Sequence, residues 1–557
     1  MQYDPQPYKT FFENDFNFIN AFWRNASRYA NRPAITDPET GEVLSYDELA
    51  ERVRRVASGL VELGVQPGDV VGYQLYNGTE FATLYLATQA IGAVGSPLNF
   101  RLAAGETSYI LGMSAPKVFV YDTELGDMVS EALNLAAYTP KIVVGVGDGE
   151  IVSPAGATSL RWSELSVKPT ALPESDRTVW DETTRLYTSG TTGMPKAVPM
   201  NGMIEIFSAH DVIMHFPMSP NDVTLNMTPW FHRGGLYSGG PNPTFYVGGH
   251  VVPLRAFEPA KVLDMIDQQG ITYLIGAPTN LAMLADEQEA RPRDLSTLRG
   301  IVTMGAPLER EAALRYQKVL NPRLFNGYGT TEGFWNTFLR PEDVAEKAGS
   351  AGSACIDDDV RVVRLFDDRL AEPHETVAPD EDEVGEIIIR SPKSANVYFN
   401  ASEQENAKFN NGWLHIGDLG TWDADQFVTV VGRKDDMLVS GGENVHPVQV
   451  EEALNQHEGV ADSVVVGVPD EKWGRKVVAY VVPKDGEELT IEALDEHCRS
   501  HPMLSSFKRP RAYRFVESVP VNATGKKVHY KAENQASDEY ARGLFTDTPT
   551  STQTAGS

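Results

Sequence analysis

Apolar and polar positions along the first 150 residues follow two periods in turn. Leu49, Val53, Val56, Leu60 and Leu63 recur at helical spacing behind Ser45-Tyr46-Asp47-Glu48, and Gly64 suits a C-terminal cap. In that tetrapeptide the Ser hydroxyl and the Glu carboxylate satisfy orphan amides at a helix start, so one amphipathic helix is predicted there. Val70-Val71-Gly72-Tyr73-Gln74-Leu75 reads as a buried strand after the turn Pro67-Gly68-Asp69, and residues 117–121 and 141–146 repeat the pattern. Helices alternating with buried strands predict a parallel α/β architecture.

The pattern changes near residue 435. Before it lie short strands such as Val384-Gly385-Glu386-Ile387-Ile388-Ile389. After it come a helical run at 448–454, strands at 463–468 and 477–482, a helix at 491–499 and a strand at 513–516. These pieces predict a small α+β domain over 435–534, behind a large α/β region over 1–434 built from several subdomains. Residues 535–557, rich in Ser, Thr, Ala, Gly and Asp, offer little to bury and predict a disordered tail. No repeat of 20–50 residues is evident.

Charge narrows the partners. The 557 residues carry 48 Lys+Arg against 77 Asp+Glu, a net charge of −29, so a polyanion such as DNA is repelled and the anionic face of a membrane is disfavoured. With 18 Lys against 30 Arg and the acids scattered, the pattern resembles proteins from salt-rich cytoplasms; a merely acidic mesophilic enzyme fits it equally. Two cysteines, Cys355 and Cys498, build neither a disulfide scaffold nor a cysteine-based zinc site. The N-terminus lacks a signal-peptide pattern, and no apolar run approaches the roughly 18 residues of a spanning helix, so a cytoplasmic protein without membrane insertion is expected.

The sharpest local chemistry is Leu186-Tyr187-Thr188-Ser189-Gly190-Thr191-Thr192-Gly193-Met194-Pro195-Lys196. Glycines permit close backbone approach, hydroxyls and amides donate, and Lys196 adds charge, which together suit an anion such as phosphate. The Gly-Lys-Ser/Thr ending of a P-loop does not fall at the required spacing, so that class is disfavoured. Further along stand Thr228-Pro229-Trp230-Phe231-His232, Met304-Gly305-Ala306-Pro307-Leu308, Asn326-Gly327-Tyr328-Gly329-Thr330-Thr331-Glu332 and Gly412-Trp413-Leu414-His415-Ile416-Gly417-Asp418-Leu419-Gly420. Gly432-Arg433-Lys434-Asp435-Asp436 and Asn522-Ala523-Thr524-Gly525-Lys526 complete the set.

In order and spacing these motifs resemble the adenylate-forming superfamily of acyl-CoA synthetases, aryl-CoA ligases, nonribosomal adenylation domains and firefly luciferase, over roughly residues 15 to 530. The resemblance implies that Thr188, Ser189, Gly190, Thr191, Thr192 and Lys196 hold ATP phosphates, that Thr331 bonds the α-phosphate and that Glu332 holds Mg²⁺. It implies that Tyr328 stacks on adenine, that Gly305, Ala306, Pro307 and Asn326 line the base pocket, and that Asp418 and Arg433 meet the ribose. Lys526 then bridges carboxylate and phosphate oxygens during adenylation, and the small domain is mobile about a hinge at Asp435. His529 stands where the family often has Arg.

CoA is expected to pass Gly441, Gly442 and Glu443 and to meet Trp473 and Lys508, basic and aromatic exceptions in an acidic chain. His232 matches the position that gates the acyl pocket, and Phe231, Gly235, Leu236, Gly329, Phe334 and Trp335 are expected to line it. Aryl, cyclic and medium-chain acids all remain open. The leading expectation is an AMP-forming carboxylate–CoA ligase using ATP, Mg²⁺ and CoA. An adenylation enzyme feeding a carrier protein ranks second, a luciferase-like adenylate oxygenase third and a non-catalytic nucleotide-binding module last. A homodimer is left open.

Overall fold

In the computed structural model, which describes residues 4–548 apart from 174, 190–193, 307, 367, 381–382, 435, 485–488 and 521–528, the helix predicted behind Ser45 spans Tyr46–Glu62. Ser45 Oγ accepts from the Glu48 amide, and the Glu48 carboxylate accepts from the Ser45 amide at 2.8 Å. Leu49, Val53, Val56 and Leu60 are fully buried along one face. The predicted strands form at Val70–Gln74, Val118–Asp122 and Ile142–Val146.

The chain divides into two compact units. The larger comprises Met1–Phe100, Leu111–Thr188 and Lys196–Lys434; the smaller contains Arg101–Ile110 and the residues from 436 onward. Among the described residues the larger unit holds a seven-stranded sheet that ends on Glu182–Ser189 and Pro195–Asn201, the strands flanking the glycine-rich segment. A nine-stranded sheet runs parallel through Pro33–Thr36, His250–Val252, Val223–Asn226, Tyr273–Gly276, Gly300–Met304 and Leu324–Thr330, then turns antiparallel at Phe334–Leu339. Helices cover such parallel strands on both faces, which is why they read as unbroken apolar runs. A third, antiparallel sheet joins Asp359–Val363, Gly385–Arg390, Trp413–Trp422 and Val428–Arg433.

In the smaller unit Val460–Asp470 pairs antiparallel with Gly474–Pro483, which runs parallel to Ala512–Phe515. Side chains alternate across this sheet, as strand geometry requires. Val465 packs with Leu454, Leu494 and Tyr513 under the helices Pro447–Asn455 and Ile491–Ser500, whereas Val464 and Val466 face the other way.

That second face corrects the expected tail. A helix spans His529–Ala541 and a strand at Thr546–Asp547 pairs with Ala512–Phe515, so order continues well past residue 535. Ala532, Ala536 and Phe545 bury against Val464, Val466 and Tyr480, while the Tyr480 hydroxyl donates to Glu539 at 2.6 Å. Small alanines and one aromatic suffice because the sheet supplies the apolar surface, a partner that composition alone does not reveal. Residues 549–557 lie outside the described residues. No helix among those described is long and apolar enough to cross a membrane.

Phe545 is 8% exposed, with its ring 5.1 Å from that of Tyr480. Phe545→Ala is expected to destabilise the smaller unit by about 3 kcal/mol. Urea unfolding followed by circular dichroism checks this, and an unchanged midpoint contradicts the packing described.

Candidate nucleotide and acyl site

The hairpin of Trp413–Trp422 and Val428–Arg433 sets Asp418 directly opposite Arg433. Arg433 Nη1 donates to Asp418 Oδ1, and the Tyr328 hydroxyl, from the nine-stranded sheet, donates to Oδ2. Asp418 is 5% exposed. Burial and the adjacent Asp418 charge push the Tyr328 phenol well above its ordinary range, so it stays a donor. Gly305 and Ala306 follow Gly300–Met304 at the C-terminal end of the parallel strands, beside Asn326 and Tyr328 of the neighbouring strand, where Met304 pairs with Gly327. Open α/β sheets bind ligands at that end of their strands. The tie from Tyr328 to Asp418 is a contact that adenine stacking did not anticipate. Pro307 lies outside the described residues.

Thr331 and Glu332 occupy the turn between Leu324–Thr330 and Phe334–Leu339, both partly exposed. Gly333 N donates to Thr330 Oγ1 at 3.1 Å, and Phe334 adopts φ +65°, a left-handed conformation unusual for a bulky residue and often found beside functional sites. The Tyr398 hydroxyl donates to Glu332 Oε1, and Lys196 Nζ lies 5.2 Å from the Tyr398 ring centroid. Thr188 is the penultimate residue of the flanking strand Glu182–Ser189, partly buried. Gly190, Thr191 and Thr192 lie outside the described residues, as does the side chain of Ser189. Tyr398 was missed from sequence; nothing local distinguishes it from a packing tyrosine.

Two groups of side chains offer donors to a cation. Glu332, an oxygen donor anchored through one carboxylate oxygen, fits Mg²⁺, which is held by one or two carboxylates together with substrate phosphates. Asp211, His215 and Cys355 also converge, with donor atoms within 4.8 Å of one another, all buried. There Lys393 Nζ stands 3.2 Å from Asp211 and 2.9 Å from Asp358, so an ammonium already supplies the positive charge.

His232 is the N-cap of the short helix Arg233–Tyr237, and its ring centroid lies 4.3 Å from that of Phe231. The other expected acyl-pocket residues are more enclosed than a lined cavity implies. Leu236 is 0%, Phe334 2%, Trp335 3% and Phe231 4% exposed, all members of the main apolar core. A Cβ at Gly235 would stand 1.9 Å from the Pro229 carbonyl, so that glycine answers the close approach of the Pro229 backbone to the helix. Gly329 pairs with Trp335 across the hairpin.

In the smaller unit Ser440 pairs with Glu443 around a two-residue turn of Gly441 and Gly442, whose φ values of +59° and +82° match the hairpin turn that demands glycine. A Cβ on Gly441 would fall 2.8 Å from the Trp473 ring, and its amide donates to the Trp473 carbonyl at 2.8 Å. Lys472 and Arg511 lie 4.9 and 5.4 Å from that ring. Two residues expected to contact CoA are engaged inside the unit. Lys508 is 3% exposed and donates to Glu106 at 2.5 Å and to Gln449 at 2.9 Å, while Glu443 is 4% exposed and accepts from Arg101 at 2.8 Å. Their charges are met inside the unit. Lys526 and Asp435 lie outside the described residues.

The sequence profile of AMP-binding enzymes matches residues 22–399, and that of the AMP-binding enzyme C-terminal domain matches 449–526. The chain belongs to the AMP-binding enzyme family. It is 34% identical over 489 residues to feruloyl-CoA synthase of an Amycolatopsis species, covering 87% of this chain and 92% of that one. A fatty acid–[acyl-carrier-protein] ligase of Streptomyces coeruleorubidus is 31% identical, over 87% and 90% of the two chains. A solved structure of o-succinylbenzoate CoA synthetase from Bacillus subtilis superposes with a TM-score of 0.79 at 26% identity, covering 95% and 99%.

In this AMP-binding enzyme His529 follows the Lys526 segment and sits between two acids, Nδ1 3.2 Å from Asp436 and Nε2 2.7 Å from Glu451. Burial disfavours the imidazolium, but the hydrogen bonds to Asp436 and Glu451 outweigh it and push its pKa up to about 9. Because the folded value lies above the unfolded one, the stabilisation is complete below about pH 6.5 and fades as pH rises through about 9. His529→Gln is expected to remove that part of the pH dependence of the smaller unit's unfolding midpoint between pH 6 and 10. Identical profiles for wild type and variant contradict the assignment.

Proposed function

We propose that this AMP-forming carboxylate–CoA ligase activates a flat or apolar carboxylic acid in the cytoplasm, using MgATP and then CoA. The observation that carries the reading is Asp418, held between Arg433 of its own hairpin and Tyr328 of the nine-stranded sheet a few residues before the Glu332 turn, within a family of AMP-binding enzymes. A carboxylate oxygen has the capacity for more than one hydrogen bond, which suits Asp418 to the paired ribose hydroxyls. Thr331 bonds the α-phosphate, and Glu332 holds the magnesium. Magnesium, when bound, neutralises charge on the phosphate oxygens.

An oxygen of the substrate carboxylate attacks the α-phosphorus and pyrophosphate departs, leaving acyl-AMP. Lys526 donates to the oxygens on which charge develops. In the second step the CoA thiolate attacks the acyl carbon, the C–O bond to phosphate breaks, and AMP leaves with that oxygen. His232, beside Phe231 at the start of its helix, gates access to the acyl group between the two steps. Phe231, with its ring against His232, gives the acyl side an aromatic character that suits flat acids, backed by Phe334 and Trp335 in the core behind it. The likeness to a fatty acid–[acyl-carrier-protein] ligase supports a second reading, in which a carrier's thiol replaces CoA.

AMP release is measured across aromatic, cyclic and aliphatic acids, with and without CoA, at low and molar KCl. CoA-dependent release with an aromatic or apolar acid is expected. ATP–pyrophosphate exchange without CoA-dependent release favours the carrier-protein reading. Lys526→Ala is expected to lose adenylation by about 10²–10³ while retaining thioester formation from preformed acyl-AMP. Equal loss in both steps contradicts a role confined to the first.

A further inference from the structure

Arg233 is a buried cation that no motif singles out. It follows His232, is 2% exposed, and directs its guanidinium at four neutral oxygens. Nη1 donates to the Thr331 carbonyl at 2.7 Å and the Glu332 carbonyl at 3.0 Å. Nη2 donates to the Lys393 carbonyl at 2.6 Å and to Ser208 Oγ at 3.3 Å. The guanidinium carbon also stands 5.1 Å from the Phe334 ring centroid, next to the backbone held at positive φ. One side chain thus ties together the helix behind His232, the Glu332 turn, the helix Gly202–His215 and the segment that starts at Lys393.

That last segment closes on Glu332 twice more. Ala395 N donates to the Glu332 carbonyl at 2.8 Å, and the Tyr398 hydroxyl donates to the Glu332 carboxylate. The backbone of Glu332 is therefore gripped by Arg233 and Ala395, and its carboxylate by Tyr398. Neutral carbonyls do not repay the desolvation of a buried guanidinium as a carboxylate would, and burial pulls the Arg233 pKa down to about 10. A lysine offers one ammonium where this geometry needs a planar fork spanning three carbonyls.

We propose that Arg233 is a positioning residue for Glu332, holding the Thr331 and Glu332 carbonyls so that the Glu332 carboxylate faces the magnesium of MgATP. The proposal rests on the reading of Glu332 as the carboxylate that holds magnesium. Partners that orient a metal-binding side chain typically contribute 10–100-fold in metal affinity.

The test is calorimetric titration of the full chain with ATP over a series of Mg²⁺ concentrations, without acid or CoA. For R233Q the Mg²⁺ concentration giving half-maximal tightening of ATP is expected to rise about tenfold, with Mg²⁺-free ATP affinity unchanged. R233K, which keeps the charge without the fork, is expected to fall between R233Q and wild type. Y398F, which removes the carboxylate's own anchor, is expected to shift the curve in the same direction. A wild-type Mg²⁺ curve for R233Q, or an equal loss of Mg²⁺-free binding, overturns the proposal. If R233Q does not fold, the R233K curve decides by the same criterion. Failure of AMP release with every acid would overturn the ligase reading and leave this comparison standing.

Discussion

Asp418 faces Arg433 because a hairpin puts them there, and the proposed nucleotide side of the site depends on that pairing. A one-residue slip in register would turn Asp418 to the opposite face of the sheet. On the proposed reading of Asp418 the register is therefore a functional constraint as well as a structural one. It is braced a residue further on, where Lys434 Nζ donates to the buried Glu386 at 2.7 Å and the Lys434 amide donates to the Gly417 carbonyl at 2.8 Å. Burial pushes the Glu386 carboxyl up, but hydrogen bonds with His415 and Lys434 hold it below its ordinary range. Paired charges of this kind add little net stability once their desolvation is counted. What they provide is a set of acceptors already oriented when a ligand arrives.

The same logic governs the cations of this acidic chain. Arg233, Lys393 and Lys508 are each at most 3% exposed, and each is committed to named internal acceptors. A net charge of −29 thus coexists with positive charge concentrated inside. A basic residue such as Lys508 in an acidic sequence looks like a phosphate contact, and its internal partner Glu106 lies 402 positions away in the chain. Sequence proximity gave no means of pairing them.

Elements with a local cause were legible. The capping box at Ser45, the buried strands of the larger unit and the strands and helices of the smaller one all carry their reason within a few residues. The spacing of 15 residues between Asp418 and Arg433 was also readable as a motif, and the hairpin now supplies its reason. Features that depend on a distant surface were not legible. The helix His529–Ala541 looks polar and small until Val464 and Val466 are set beneath it. Arg233 and Tyr398 lie 99 and 66 positions from Glu332, so their joint grip on it leaves no local pattern. The acyl residues were expected as pocket lining, but aromatic side chains serve a core and a pocket wall alike, and Trp335 and Leu236 sit in the core.

The central claim is that Asp418, oriented by Arg433 and Tyr328, accepts the ribose hydroxyls. The most direct test compares the affinities of ATP, 2′-deoxy-ATP and 3′-deoxy-ATP for wild type and Asp418→Asn, in one two-by-two cycle for each deoxy analogue. Hydrogen bonds to a charged acceptor contribute about 1.5–3 kcal/mol, so wild type should bind at least one deoxy analogue roughly tenfold or more weakly than ATP. The account predicts that Asp418→Asn binds ATP and both analogues nearly alike. Undiminished discrimination in the variant would contradict it.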